Sequence, residues 1–261
     1  MKKISVLLLS LILSCFVCSC SDVVISGRSR LNFVPDKQIN QMAEQSYEQF
    51  LSDNAQLLNK DAQNTQLVRK VGNNIKQAVE EYLVENGMED EVANYNWEFN
   101  LVESEQVNAW AMPGGKVVVY TGILPYTQNE SGLAVVMAHE VAHAVAKHGA
   151  EQMSQDLLLQ VGGTMLDEYG ASDTFLRAFS IGSTYGLKLP YSRTHEYEAD
   201  HLGLVFMAMA GYDPKEAPRF WQRMSQGSGG GVPEFMSTHP LDENRIERLN
   251  GLMDEAYQYM K

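Results

Sequence analysis

The chain has 261 residues, 44% of them hydrophobic, and a formal charge of −13. That length and apolar content suffice for one sizeable core. The acid excess repels phosphate backbones and anionic lipid surfaces, which argues against nucleic acid as a partner.

The opening "MKKISVLLLSLILSCFVCSCSD" joins Lys2 and Lys3 to an apolar run from Ile4 to Val17. The run is short for a spanning helix and right for a secretory leader. All three cysteines lie in this opening segment: Cys15, Cys18 and Cys20. The pattern resembles a bacterial lipoprotein signal, in which a cysteine after small residues is lipidated. Cys20 fits best, with Ser19 before it and Val17 three residues before it; Cys15, with Ser14 and Ile12, is the alternative. An ordinary signal peptide or anchor helix is the plainer reading. Cleavage before Cys20 removes Lys2 and Lys3, takes the charge from −13 to −15, and leaves no internal disulfide in the mature domain. The expected layout is a leader at 1–19, a tether at 20–34 and one domain at 35–261. Residues Leu202 to Gly211 are too few to span, so membrane attachment would be through lipid.

Downstream of the tether, Asp36 to Leu51 and Gln63 to Val84 carry helical patterns. In the second, Leu67, Val71, Ile75, Ala78, Val79 and Tyr82 recur at three- and four-residue steps. "YNWEFNLV" (Tyr95 to Val102) alternates as a strand does. "NAWAMPGGKVVVYTGIL" reads as an extended segment, a turn at Pro113-Gly114-Gly115 and a β-branched strand. Thr127 to Glu130 carries a capping-box signature. Leu157 to Gly186 is apolar and glycine-interrupted, compatible with a cover over a site. Helical patterns resume at Thr194 to Ala210, Pro214 to Met224 and Asp242 to Tyr259, with a flexible "QGSGGGVPEF" loop before the last. The fold class is α+β, mainly helical, with a small sheet.

Within "VMAHEVAHAVAKH", His139 and His143 are four residues apart and share one helix face. Two imidazoles so placed can chelate zinc through ring nitrogens, with Glu140 beside the metal as a proton acceptor for water. Four polar groups on an apolar helix are costly to bury unless satisfied, and ligation satisfies them. His148 is out of register for a third histidine ligand of the H-E-x-x-H-x-x-G-x-x-H type. It reads as the end of the helix, with Gly149 as its stop. In "YSRTHEYEADHLG", Glu196 and Asp200 share a face: Glu196 can complete the site, and Asp200 can hold the distal N–H of His139 or His143. Glu198 and His195 lie on other faces of that helix.

"AHEVAHAVAKHG", "SRTHEYEAD", "NAWAMPGG" and "STHPLDENRI" together resemble metallopeptidase family forty-eight, the gluzincins that include the HtpX, BepA and LoiP proteases and the CAAX prenyl proteases. The four motifs run from Asn108 to Ile246. The resemblance implies one zinc per chain on His139, His143 and Glu196, Glu140 as general base and acid, and Asp200 supporting a ligand. It implies an edge strand beside the H-E-x-x-H helix, where a substrate backbone pairs with Asn108, Ala109, Trp110 and Ala111. Arg193 matches the family's S-R-x-x-E pattern as an orienting residue. His239 matches a histidine near the zinc that either donates to the oxyanion or fills the open zinc position in a latent state. Arg245 belongs to the same motif and supports it. The spanning helices and helical-repeat domain of some relatives are absent here, so the single-domain lipoprotein type is the nearest architecture.

The expectation is a zinc endopeptidase, lipid-anchored at a bacterial cell envelope, acting on unfolded or misassembled envelope proteins. The rival is a latent or non-cleaving binding module that keeps the protease fold.

Overall fold

The computed structural model describes residues 20–23, 26–164, 192–226, 233–240 and 244–261. The leader at 1–19, Cys15 included, lies outside them, as do 165–186 of the expected cover and 227–232 of the glycine-rich loop.

Strand β1 (Cys20–Asp22) pairs antiparallel with β2 (Ser29–Leu31). Within the stretch read as a tether, residues 20–22 and 29–31 thus form a strand pair. Val23 joins the main core, and Val34 is buried with Ile39, Ala150 and Met153. The strands are only three residues each, too short for an alternation to show. Packing against the body holds them rather than their own pattern.

Helices α1 (Asp36–Asp53) and α2 (Ala62–Glu85) fall within two residues of their expected bounds. Asp61 caps α2 by accepting the Asn64 N–H. The buried stripe of α2 starts at Val68, with Leu67 only partly covered, and continues through Val71, Ile75, Val79 and Tyr82. After a short helix, α3 (Glu89–Val92), come β3 (Glu98–Val102), β4 (Ala109–Met112) and β5 (Lys116–Tyr120). The sheet order is β3-β5-β4, with β3 parallel and β4 antiparallel to β5. Val117 and Val119 face the main core, while Val118 and Trp110 face Tyr47 of α1. The turn between β4 and β5 needs glycine. Gly115 has φ 88°, and a Cβ there would sit 2.7 Å from the Trp97 ring.

Helix α4 (Leu124–Thr127) leads into α5 (Glu130–Val145), whose every residue from Gly132 onward is buried. The cap differs from the expected box. Asn129 accepts the Gly132 N–H, while Thr127 Oγ1 donates back to the Leu124 carbonyl and closes α4. Gln128, at φ 61°, turns the chain between the two helices, so the α5 frame starts two residues late.

Helix α5 stops at Ala146, Lys147 takes a left-handed φ of 59°, and α6 (His148–Thr164) begins at once. His148 thus opens a helix instead of ending one, and Gly149 lies inside α6. Lys147 is held in its uncommon conformation by ion pairs to Asp36 and Glu91.

Helix α7 (Arg193–Met209), capped by Ser192, packs along α5. Gly203 makes that approach possible, since a Cβ there would lie 3.2 Å from the His139 backbone nitrogen. Helices α8 (Glu216–Gln226), α9 (Glu234–Thr238), α10 (Arg245–Gly251) and α11 (Met253–Gln258) complete the chain. The expected last helix breaks at Leu252. Among the described residues, no helix is long and apolar enough to cross a membrane. The α+β class and small sheet are as the sequence implied.

Candidate metal centre

Helix α5 places the Nε2 atoms of His139 and His143 3.1 Å apart, both side chains almost fully buried. Helix α7 brings Glu196 against them, its Oε2 3.4 Å from His139 Nε2 and its Oε1 3.4 Å from His143 Nε2. His239, just past α9, supplies a fourth group. Its Nδ1 is 3.0 Å from Glu196 Oε1 and 3.2 Å from His139 Nε2, and its Nε2 is 3.2 Å from Glu140 Oε1. Ligand-type atoms of His139, His143, Glu196 and His239 all lie within 4.8 Å of one another.

The group fits zinc. Bonds of 2.0–2.1 Å in a tetrahedron set ligand nitrogens about 3.3 Å apart, close to the spacing seen. Charge agrees. Three buried carboxylates, Glu140, Glu196 and Asp200, meet one buried guanidinium, Arg245, and a divalent cation balances the remainder. Burial alone would lower the His139 imidazole, yet Asp200 and Glu196 lift it to about 9, whereas burial drives His143 well below its ordinary value. Burial would raise the Glu196 carboxyl, but His239, His139 and His143 hold it well below the usual range.

Asp200 Oδ1 stands 3.1 Å from His139 Nδ1, so of the two histidines it serves His139. Arg245 grips both Asp200 oxygens at 2.8 Å, reaches Glu196 Oε2 at 2.9 Å and lies 3.5 Å over the Trp221 ring. Arg193 is not in this constellation. It is exposed in the first turn of α7 and makes no ion pair among the described residues. A spacing of three from Glu196 shares a helix side, but the buried side belongs to Arg245.

The distal nitrogen of His143 meets a residue that the sequence did not assign to the site. His148 Nδ1 is 2.9 Å from His143 Nδ1, and His148 Nε2 is 3.1 Å from Glu198 Oε2. On an uninterrupted helix, position 148 would point about 140° away from 143. The left-handed Lys147 folds it back. His195 stacks on His148 at 4.4 Å and meets Glu151 Oε2 at 3.1 Å. No local pattern signalled it, because Glu198 lies 50 residues on from His148 in another helix.

Strand β4 forms an edge of the sheet next to α5. Its register directs the backbone of Asn108 and Trp110 to β5, as the bond from Tyr120 N to Asn108 O shows. Ala109 and Ala111 point the other way. The Ala109 N–H is taken by the Asn108 side chain, and the Ala111 backbone favours the ionised form of Glu140. The Trp110 side chain lies on the far face of the sheet, 4.9 Å from Phe50, and so anchors the strand. Burial raises the Glu140 carboxyl, partly opposed by His239 and His139.

Residues 70–253 match the model of peptidase family M48. The chain is 34% identical over 240 residues to the mitochondrial metalloendopeptidase OMA1 of Schizosaccharomyces pombe, covering 90% of this chain and 66% of that protein. The human mitochondrial metalloendopeptidase OMA1 is 32% identical over 89% of this chain and 45% of its own length. The β-barrel assembly-enhancing protease of Escherichia coli is 31% identical over 57% of this chain and 32% of its length. The chain thus spans from about a third to two-thirds of these relatives.

Proposed function

Because the chain belongs to peptidase family M48, we propose that it is a zinc-dependent endopeptidase, with His139, His143 and Glu196 holding the metal and Glu140 moving the proton. The observation that carries this reading is the convergence of those ligands beside a buried carboxylate at a sheet edge. Zinc, when bound, polarises the scissile carbonyl and acidifies the attacking water to about pKa 7. Glu140 takes the proton of that water and passes it to the leaving nitrogen. Its raised carboxyl brings its basicity toward working pH. Asp200 and Arg245 fix the His139 ring and the Glu196 carboxylate. A peptide would pair with the outward carbonyls of Ala109 and Ala111 rather than with all of Asn108 to Ala111.

Unfolded or misassembled envelope proteins are the proposed substrates, in keeping with the name of the bacterial relatives. Attachment through lipidated Cys20 at the envelope rests on the leader pattern, with the domain at 35–261. A labelled fatty acid should enter the wild type and not Cys20→Ala; continued labelling would shift the assignment to Cys15. The activity itself is tested on casein or an unfolded envelope protein. Zinc-loaded wild type should cleave, and Glu140→Gln should lose about 10²–10⁴-fold in kcat while keeping its metal. Equal cleavage by the two would sink the mechanism.

A second reading, a latent or non-cleaving module, draws on the place of His239. Its ring nitrogens share the ligand group, and the Phe235 N–H of the same short helix donates to the Val107 carbonyl just before the edge strand. In this reading His239 fills the position that a substrate carbonyl needs. His239→Ala should then raise turnover with zinc retained, whereas a donor to the oxyanion would lower it. If Glu140→Gln fully restores a deletion strain, binding is the main function.

A further inference from the structure

The N-terminal hairpin reaches the metal centre through one side chain. Arg28, just before β2, grips two carboxylates at once. Its Nη1 and Nη2 donate to the two oxygens of Glu151 at 2.8 and 2.7 Å. Its Nε and Nη2 donate to the two oxygens of Glu198 at 2.9 and 2.8 Å. Ser26 Oγ donates to Glu198 as well. These acids come from α6 and α7, and both are buried, Glu151 with 3% and Glu198 with 8% of its surface exposed. A planar guanidinium satisfies such a pair; a point charge cannot fork to both.

Beyond Glu198 the contacts continue in one direction, through His148 to His143. If His143 gives Nε2 to a metal, its Nδ1 must carry a hydrogen. The facing His148 Nδ1 must then accept, which puts the His148 hydrogen on Nε2, where Glu198 receives it. One assignment of protons therefore satisfies every atom from Arg28 to His143, and it requires an ionised Glu198. A carboxylate behind a ligand histidine is a familiar support for zinc; here a second histidine is inserted between them.

We propose that Arg28 is a positioning residue for the ligand His143, acting through Glu198 and His148, so that the docked N-terminal hairpin is part of the support of the metal site. This rests on the zinc-site reading above. It also gives the segment that follows Cys20 a role besides reach.

The test uses the mature chain, zinc titrated against a chelator, cobalt(II) spectra of the substituted protein, and circular dichroism to verify folding. Arg28→Ala should weaken zinc about 10–100-fold and shift the cobalt bands, and Arg28→Lys should recover only part. His148→Ala should weaken zinc similarly, and the double variant no further, because both act on one path. A folded Arg28→Ala that holds zinc within twofold of wild type, with unchanged cobalt bands, overturns the proposal. So do additive losses in the double variant. Should Arg28→Ala not fold, Glu198→Gln takes its place under the same criteria. A wild type that binds no zinc would overturn the metal-site reading and this with it; tight zinc in both wild type and variant overturns this one alone.

Discussion

Each of the two candidate ligand histidines is held from behind in its own way. His139 leans on Asp200, which Arg245 clamps against Trp221; His143 leans on His148, which Glu198 holds. Glu140 faces His239, whose Nε2 lies 3.2 Å from its Oε1. The acids that carry Arg28 also make stability depend on pH. Burial alone would raise the Glu151 carboxyl, but Arg28 and His195 hold it at about 2, against an ordinary 4.5. Glu198 is likewise held below its usual range. A carboxyl with a depressed folded-state pKa adds stability above its ordinary value, and that stability fades as pH falls toward the folded value. The stability gap between wild type and Arg28→Ala should therefore be widest above pH 4.5 and close as pH drops toward about 2. Urea unfolding at several pH values checks this; a gap that ignores pH would contradict it.

At the scale of elements, the site exists because α5 and α7 cross closely enough for Glu196 to meet His139 and His143. Gly203 sets that distance, with the His139 backbone where a side chain would be. Gly203→Leu should push the helices apart, cost about 1–3 kcal/mol by overpacking, and weaken zinc sharply even though no ligand is touched. Thermal melts and metal analysis of the purified variant would show it; full zinc occupancy at wild-type affinity would mean the crossing is not what places Glu196. The aromatic wall behind the site is the second element-scale support. Trp221 is buried, stacked on Phe235 at 5.6 Å and under Arg245. Trp221→Ala should cost about 3–5 kcal/mol and free Arg245 from its pose. Denaturant unfolding measures the first effect and loosened zinc the second.

Over the whole molecule, the candidate ligand groups come from α5, α7 and the residue after α9, which are far apart in sequence. A metal that binds only the folded chain stabilises it by mass action, about 2.7 kcal/mol at a hundred times its Kd. For a domain of this size that is about 5–10 °C in Tm. Calorimetry with and without a chelator should show the drop, reversed by zinc; an unchanged Tm would mean the site does not hold the metal that the fit suggests. The N-terminal hairpin takes part in the same assembly, its core residues packed on the body and its Arg28 joined to two helices.

The sequence alone determined what depends on near neighbours. Periodicity placed α1, α2 and α7 to within two residues, and the four-residue spacing put His139 and His143 on one face, because a helix converts spacing directly into direction. The same logic paired Glu196 with Asp200. Where the chain leaves a regular helix, spacing stops predicting direction: Gln128 moved the α5 cap to Asn129, and Lys147 swung His148 back onto His143. The tertiary structure alone decided that Asp200 meets His139, that Arg245 meets Glu196 and Asp200 while Arg193 is exposed, and that Trp110 packs on Phe50. It also placed Arg28, within the stretch read as a tether, on two buried acids. Charges inside a protein must find partners wherever the packed chain brings them, and no local pattern records which distant partner arrives.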